Sequence, residues 1–533
     1  MTEPLPGATT TGRLQRDALV VTVCTLLSRI TGFGRVLATA AVLGSGLLGD
    51  VYQTANLVPN LLFELVALGV LQAVLVPAFA AAQRDSRNAL DAAVRAATGA
   101  ALVALGVVAV AGIATSPLLA QVMVAFEPAP EIAADKLDVM VPMVLVFVPQ
   151  LVFYGLATVT SAALNAQGRF VAGALAPAAN NVVVILACLL FRWARDGAVA
   201  DLDLSEVEFS LIAGGTTAGV ACLAALPWIA LRRTGISARP VWRPRHPAVS
   251  SMRDNFGWAT LSIVGTLVPT ATALLLGNGA AGGVAIYVFV FAFFVLPHSL
   301  VAVPLATALS PRVAATWQVG ECDATRESID HAVRVAVPLL VLGGAGMVAL
   351  AWPVADVMAF GQIASQGLAP IAFTFVAFGP GLLGYGLAYM LTRTLYSLGD
   401  VRAASRLVIV GAVVGVIVMQ ALSALVADDY RSAALAAGYG AAQTATAVLL
   451  VRRVRSLNGA LRHVELGRQL LTASFAGCAA GAAMLVVAAQ FGPRRRESGA
   501  AIFVAGVAGV AVFVAVLASV DGGVRRRLLR RSA

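Results

Sequence analysis

Long apolar runs separated by short polar breaks fill almost the whole chain. VVVILACLLF (182–191), AIYVFVFAFFVL (285–296) and AAIFVAGVAGVAVFVAVLASV (500–520) contain no charged residue. A helix needs about 20 mainly apolar residues to cross a bilayer, where every backbone N–H and C=O must be bonded internally. Breaking the runs at charges, prolines and glycines predicts fourteen spans, near 17–44, 50–83, 89–124, 136–165, 170–192, 207–231, 254–277, 283–313, 327–352, 366–396, 402–426, 432–451, 468–490 and 499–520. Several exceed the minimum, so those helices should tilt, kink or project. The expected fold class is an all-α polytopic membrane protein.

Composition agrees. The 533 residues are 59% hydrophobic and 12% charged, with a mean hydropathy of +0.87, whereas soluble domains carry about 25% charged residues. The net charge of +10 does not imply a nucleic-acid partner, because the basic residues punctuate the apolar runs and form no single face. With the N-terminus in the cytoplasm, inner loops and tails hold 27 of the 37 Lys and Arg residues and outer loops hold 7. That asymmetry places both termini inside. Arg494–Arg496 are the exception, and Arg29, Arg35 and Arg95 lie within spans. The polar opening MTEPLPGATTTGRLQRD does not read as a signal peptide. Five single cysteines and four dispersed histidines form no metal or disulfide pattern. No HExxH, nucleophile elbow or phosphate-binding glycine loop occurs, so no enzyme activity, metal or cofactor is expected.

A faint internal repeat organises the spans. The fourth ends in ALNAQGR (163–169) and the tenth in TLYSLGD (394–400), six helices apart. The second carries VPN…LVP and the eighth LPH…LSP at the same offset. An even offset preserves orientation, so the expected organisation is a cytoplasmic tail (1–16), a six-helix lobe (17–231), a basic linker (232–253), a second six-helix lobe (254–451), two additional helices (468–520) and a basic tail (521–533). Pseudo-symmetric lobes of this kind place substrate sites at their interface.

Polar groups inside apolar spans mark the candidate site, since a charge at the bilayer centre costs about 2.5–3.5 kcal/mol on insertion scales. Arg29 and Arg35 sit in LLSRITGFGRVLATAAVL, about 120° apart on a straight helix. Gly32 and Gly34 between them are expected to bend the helix toward one cavity. The alternative is that Arg29 caps a helix end or pairs with an acid. In the second span Gln53, Asn56, Asn60 and Glu64 form one stripe, with Asp50 near its outer end. These line a substrate path or hydrogen-bond between helices, and Glu64 is a candidate partner for either arginine under both readings. Tyr385, Tyr389, Arg393 and Tyr396 read as an interfacial anchor or a substrate-facing stripe. Asn180 and Asn181 read as helix-packing contacts.

SRITGFGRVLATAAVLGSGLLGDVYQTANLVPNLLFELVALGVLQAVLVPAF (28–79) resembles the opening of the MurJ/MviN family, the lipid II flippases of peptidoglycan synthesis. The matching positions are Ser28, Arg29, Gly32, Arg35, Asp50, Pro59, Asn60, Gly69, Val76, Pro77 and Phe79. ALNAQGRFVAGALAPAANN (163–181), with Gly168 and Arg169, resembles the family's segment joining its fourth and fifth helices, and LYSLGDVRAASR (395–406) a later one. The resemblance implies the multidrug/oligosaccharidyl-lipid/polysaccharide exporter fold, a cationic cavity and, for Arg29 and Arg35, the cavity arginines of the first helix. Two positions depart. Phe63 with Glu64 stands where the family commonly has an arginine after P-N-L-L, and Ala292 stands where it has one in the eighth helix.

The function implied is export of undecaprenyl-diphosphate-linked sugar-peptide across a bacterial plasma membrane by alternating access. The expected substrate-binding residues are Arg29, Arg35, Asn56, Asn60, Glu64 and Asp50, with Ser28, Gly32, Gly34, Pro59, Gly69, Gly168 and Arg169 as structural motif positions. The partners implied are the lipid-linked diphosphate sugar and the bilayer, with cell-wall synthesis proteins as further candidates. Alternatives are a flippase or exporter for another lipid-linked glycan or small molecule, or a non-transporting scaffold for cell-wall enzymes, which the thinned arginine set favours.

Overall fold

The computed structural model describes residues 8–64, 71–254, 256–358, 360–492 and 495–520. Among these, all regular structure is helical. In chain order the helices are α1 (Ala8–Leu43), α2 (Leu47–Phe63), α3 (Leu71–Asp85), α4 (Arg87–Ala114), α5 (Ser116–Met123), α6 (Pro130–Phe147), α7 (Gln150–Ala166), α8 (Val171–Ala194), α9 (Glu206–Phe209), α10 (Gly215–Arg233) and α11 (Pro247–Asp254). They continue as α12 (Phe256–Gly277), α13 (Gly283–Gln318), α14 (Cys322–Ala349), α15 (Ala351–Met358), α16 (Ala369–Phe378), α17 (Gly381–Ser397), α18 (Val401–Leu425), α19 (Arg431–Asn458), α20 (His463–Ala488) and α21 (Arg495–Val520).

Among the described residues eleven stretches are long and apolar enough to cross a membrane, and α16 with α17, bent by 45°, make a twelfth. The other two expected spans are α2 with α3, separated by residues 65–70 outside the description, and α12, of which Ile263–Gly277 counts as a shorter apolar helix. Their outer surface inverts the water-soluble pattern: Val107, Leu300, Leu471 and Phe503 are each at least 65% exposed. Such large apolar exposure is the surface a hydrocarbon solvent selects. At 36 residues, α13 is about 54 Å long, well beyond a hydrocarbon core of about 30 Å.

The chain forms two compact units. The first comprises residues 1–42, 54–122 and 131–263, and the second comprises 43–53, 123–130 and 264–533. The segment expected to link the lobes belongs to the first unit. Its Ile236 and Ala238 are buried in a core with Leu90, Val94 and Leu231. The Ser237 N–H donates to Asp91 Oδ1 at 2.6 Å, and the Val241 N–H donates to the Arg95 carbonyl at 3.1 Å. An extended segment has no bonding partners of its own, so it takes those that α4 offers.

The repeat has a structural counterpart inside each unit. Gly168 closes α7 with φ of +70°, and Gly399 closes α17 with φ of +81°. In both turns the next residue's N–H reaches back five positions, Arg169 to Leu164 and Asp400 to Leu395, each at 2.9 Å. Only glycine takes this left-handed cap conformation at low cost. The same register extends upstream: FVPQLVFYG (147–155) and FGPGLLGYG (378–386) share Phe, Pro, Leu, Tyr and Gly at matching positions. Each proline starts the second helix of its pair, where the missing N–H interrupts the helical bonding. In the first unit the Thr217 hydroxyl donates to the Val146 carbonyl at this break, at 3.0 Å.

Candidate functional site

In the first unit three polar side chains from different helices meet. Arg35 on α1 lies within electrostatic reach of Tyr154 on α7, and the Tyr154 hydroxyl is hydrogen-bonded to Asn60 on α2. Arg35 is also within electrostatic reach of the Cys188 thiol on α8. The Phe63 ring packs against Tyr154 with centroids 5.2 Å apart. Asn60 is held in place because its Nδ2 also donates to the Asn56 carbonyl at 2.8 Å, one turn back. Arg35, Asn60 and Tyr154 are all half-buried, neither sealed in a core nor facing outward. Among the described residues Arg35 has no ion-pair partner, so its guanidinium keeps donors for a ligand.

The remaining expected residues divide. Arg29, six positions earlier on α1, is exposed, and no hydrogen bond or ion pair holds it among the described residues. Glu64 is half-buried in a wider turn after α2 and is paired with neither arginine. α1 runs as one continuous helix through Gly32 and Gly34. Their use is close approach to α8. A Cβ on Gly32 would sit 3.3 Å from Asn181 Nδ2, and one on Gly34 would meet Ile185 at 3.7 Å. Asn181 Nδ2 in turn donates to the Ser28 carbonyl and to Thr31 Oγ1, each at 3.3 Å. Pro59 is buried within α2. Arg169 is exposed beside the Gly168 cap, and Gly69 lies outside the described residues.

Asp50 departs from the stripe. It is fully buried in the second unit, where its Oδ2 accepts the Gly282 N–H at 2.7 Å and its Oδ1 accepts those of Val284 at 3.1 Å and Ala285 at 2.8 Å. Gly282 is the N-cap of α13, with φ of +78°. The carboxylate satisfies the helix's orphan donors and meets the positive end of its dipole. The substrate-binding role expected for Asp50 therefore gives way to a capping one: both oxygens are occupied and neither reaches solvent.

The second unit adds a buried histidine to the tyrosines of the tenth span. His298, which follows Pro297 as Asn60 follows Pro59, is buried with its ring centroid 4.1 Å from Tyr385 and 5.0 Å from Tyr389. Arg393 lies over the Tyr389 ring at 4.7 Å. Tyr385 hydrogen-bonds Tyr439, which also bonds Gln443. By the repeat register Tyr385 is the counterpart of Tyr154. Asn60 meets Tyr154 through a hydrogen bond in the first unit, and His298 meets Tyr385 through ring contact in the second. Tyr385 and Tyr389 are half-buried and pack against the His298 ring. The shared P-N/P-H and F-x-P-x-L-x-x-Y-G patterns carried this signal, and it is legible only once both halves are aligned.

Comparison with known proteins identifies the family. Residues 39–517 match the family model described as lipid II flippase MurJ. The probable lipid II flippase MurJ of Rickettsia prowazekii is 22% identical over 467 residues, covering 87% of this chain and 88% of that one. The lipid II flippase MurJ of Burkholderia cenocepacia is 26% identical over 418 residues, 77% of each chain. Among solved structures, a lipid II flippase MurJ in an inward closed conformation superposes with a TM-score of 0.75 at 15% identity, over 96% of this chain and all of the other. An inward-facing multidrug resistance MATE family transporter of the MOP superfamily gives 0.63 at 13% identity, over 83% of this chain and 98% of the other. With apolar helices throughout, a repeat in each half and a family match spanning most of its length, this chain belongs to the lipid II flippase MurJ family.

Proposed function

We propose that this protein is a lipid II flippase of a bacterial plasma membrane, moving the diphosphate sugar-peptide head to the outer leaflet while the polyprenyl tail stays in lipid. The family match over residues 39–517 carries the reading. The Arg35–Tyr154–Asn60 cluster supplies its chemistry. A guanidinium donates paired N–H bonds to phosphate oxygens, and the neighbouring amide and phenol add neutral donors for the sugar. Arg29, exposed on the same helix, receives the head group as a second cation.

An outward-moving anion gains about 2.3 kcal/mol per charge per 100 mV of inside-negative potential, so alternating access driven by the membrane potential needs no nucleotide hydrolysis. Both termini lie in the cytoplasm, following the basic-residue asymmetry. The test is rescue of a flippase-depleted strain together with a leaflet assay in proteoliposomes. Wild-type protein restores growth and moves lipid II, and failure of both sinks the reading. A lipid-linked glycan with a different head group is a second reading, favoured by Phe63 and Ala292 where the family has cations. Head-group competition in the same assay separates the two.

A further inference from the structure

The repeated F-x-P-x-L-x-x-Y-G segment interrupts one helix in each unit, yet the two interruptions are built differently. In the first unit α6 and α7 continue across Pro149 as one span of 37 residues, Pro130–Ala166. In the second unit α16 and α17 are bent by 45° at the equivalent Gly379 and Pro380. Both prolines sit in helical backbone, Pro149 with φ of −57° and Pro380 with φ of −60°. Proline opens both joints by the same missing N–H, so proline alone does not decide which one bends.

The neighbours of each joint differ. At the first, one hydroxyl holds both sides. Thr217 Oγ1 on α10 donates to the Val146 carbonyl at the end of α6, at 3.0 Å, and accepts from Gln150 Nε2 at the start of α7, at 2.9 Å. Val148 and Gln150 are fully buried, so water does not compete for these bonds. At the second joint the repeat register places Ala377 for Val146, Gly379 for Val148 and Gly381 for Gln150. Among the described residues no side chain bonds a carbonyl of residues 376–380. There α17 meets α19 backbone to backbone, since a Cβ on Gly381 would lie 2.5 Å from the Gly440 Cα. Such a contact has no directional bond to fix an angle, and glycines on both sides of a proline resist a change of backbone angle least.

We propose that the α16–α17 joint is a hinge that changes angle during transport, and that its first-unit counterpart is a fixed elbow. The hinge carries Tyr385, whose ring lies 4.1 Å from His298 on α13. From Pro380 to Tyr385 is about 7.5 Å of helix, so straightening the 45° bend moves the Tyr385 backbone by about 6 Å, enough to part the rings. Opening and closing the joint thus breaks and makes the His298–Tyr385 contact, while Tyr154 keeps its bond to Asn60. A few backbone positions absorb the motion, as in other hinges. The purpose of the motion rests on the flippase reading; its existence is read separately, from amide exchange.

Amide hydrogen exchange of the purified full chain, corrected for intrinsic rates, compares residues 150–155 with 381–386. Gly381 and Leu382 are buried like Gln150 and Leu151, so exposure does not set the contrast. The second joint is expected to exchange about tenfold faster than the first. Thr217→Val, which removes the shared hydroxyl, should raise exchange at the first joint several-fold and leave the second unchanged. Pro380→Ala supplies the N–H that the Val376 carbonyl would accept in a continuous helix, and should slow the second joint by about tenfold. In the proteoliposome leaflet assay Pro380→Ala is expected to lose about tenfold of lipid II movement at the wild-type melting temperature, with Pro149→Ala within about twofold of wild type. Equal exchange at both joints in wild type overturns the hinge. So does full transport by Pro380→Ala once its exchange is slowed, or an equal loss in Pro149→Ala. Where wild type moves no lipid II the flippase reading fails, and where Pro380→Ala does not fold its transport says nothing; in both cases exchange in wild type and Thr217→Val decides the hinge.

Discussion

The Asp50 carboxylate accepts the Gly282 backbone N–H at 2.7 Å, joining the start of α2 to the start of α13 across 232 positions of sequence. With the bonds from Val284 and Ala285 it holds three donors that the helix itself leaves open. Hydrogen bonds to a charged group contribute about 1.5–3 kcal/mol each when a buried partner depends on them. Asp50→Ala is therefore expected to lower the detergent melting temperature by several degrees, and Asp50→Asn, which keeps an acceptor, by less. An unchanged midpoint in Asp50→Ala would show that the cap is dispensable.

Arg35 and Arg29 should separate in function. Loss of paired guanidinium–phosphate bonds, about 1.5–3 kcal/mol, corresponds to roughly a 10–100-fold loss of affinity. Arg35→Ala is expected to lose at least tenfold in the leaflet assay, with Arg35→Lys recovering only part because an ammonium cannot donate in a fork. Arg29→Ala loses less, since it has no neighbour in the cluster to orient it. Equal activity of Arg35→Ala and wild type, at equal expression, removes Arg35 from the site.

The pairings Asn60–Tyr154 and His298–Tyr385 predict matching phenotypes. Tyr154→Phe and Tyr385→Phe each remove one hydroxyl while keeping the ring. Both are expected to reduce transport several-fold with little change in melting temperature. His298→Ala removes a ring packed between two tyrosines and should cost about 2–4 kcal/mol of stability through the cavity it leaves. A silent Tyr385→Phe beside a defective Tyr154→Phe refutes the functional equivalence of the two halves.

The first unit's basic segment depends on one close approach. A Cβ on Gly99 would lie 2.3 Å from the Val241 carbonyl oxygen and 2.6 Å from its carbon. Backbone cannot yield as a side-chain tip does, so Gly99→Ala displaces the segment and breaks the Val241–Arg95 bond. Limited proteolysis should then cut between Thr234 and His246 faster than in wild type. An unaltered cleavage rate contradicts the docking.

His246 gives that same segment a pH dependence. Its Nδ1 accepts the Ala248 N–H at 3.2 Å at the start of α11, a bond that only the unprotonated nitrogen makes. Burial, reinforced by the Arg243 guanidinium, holds the imidazole below the ordinary histidine range. A base with a lowered folded-state pKa is protonated more readily when unfolded. Its stabilising contribution is therefore complete above the unfolded value of about 6.5 and fades as pH falls through the folded one. Amide exchange at Ala248 should accelerate from pH 7.5 to pH 5, and His246→Asn, an uncharged capping residue, should abolish that acceleration. Equal pH responses in both proteins would rule the histidine out.

The all-helical membrane fold was legible in the sequence alone, because it rests on local and summed properties. A run of about twenty apolar residues must bond its own backbone in hydrocarbon, and a left-handed turn favours the glycines at 168 and 399. Which polar side chains meet is a different kind of information. The stripe from Asp50 to Glu64 looks uniform along one helix, yet Asp50 is drawn to the α13 terminus, Asn60 to Tyr154, and Glu64 to neither arginine. Arg29 and Arg35 look alike in the motif, and only packing against α7 and α8 gives Arg35 its neighbours. Tyr154 and His298 stood in apolar runs without a charge to mark them. Contacts between helices depend on each helix's rotation and depth, which distant residues set together, and the tertiary structure alone decided them.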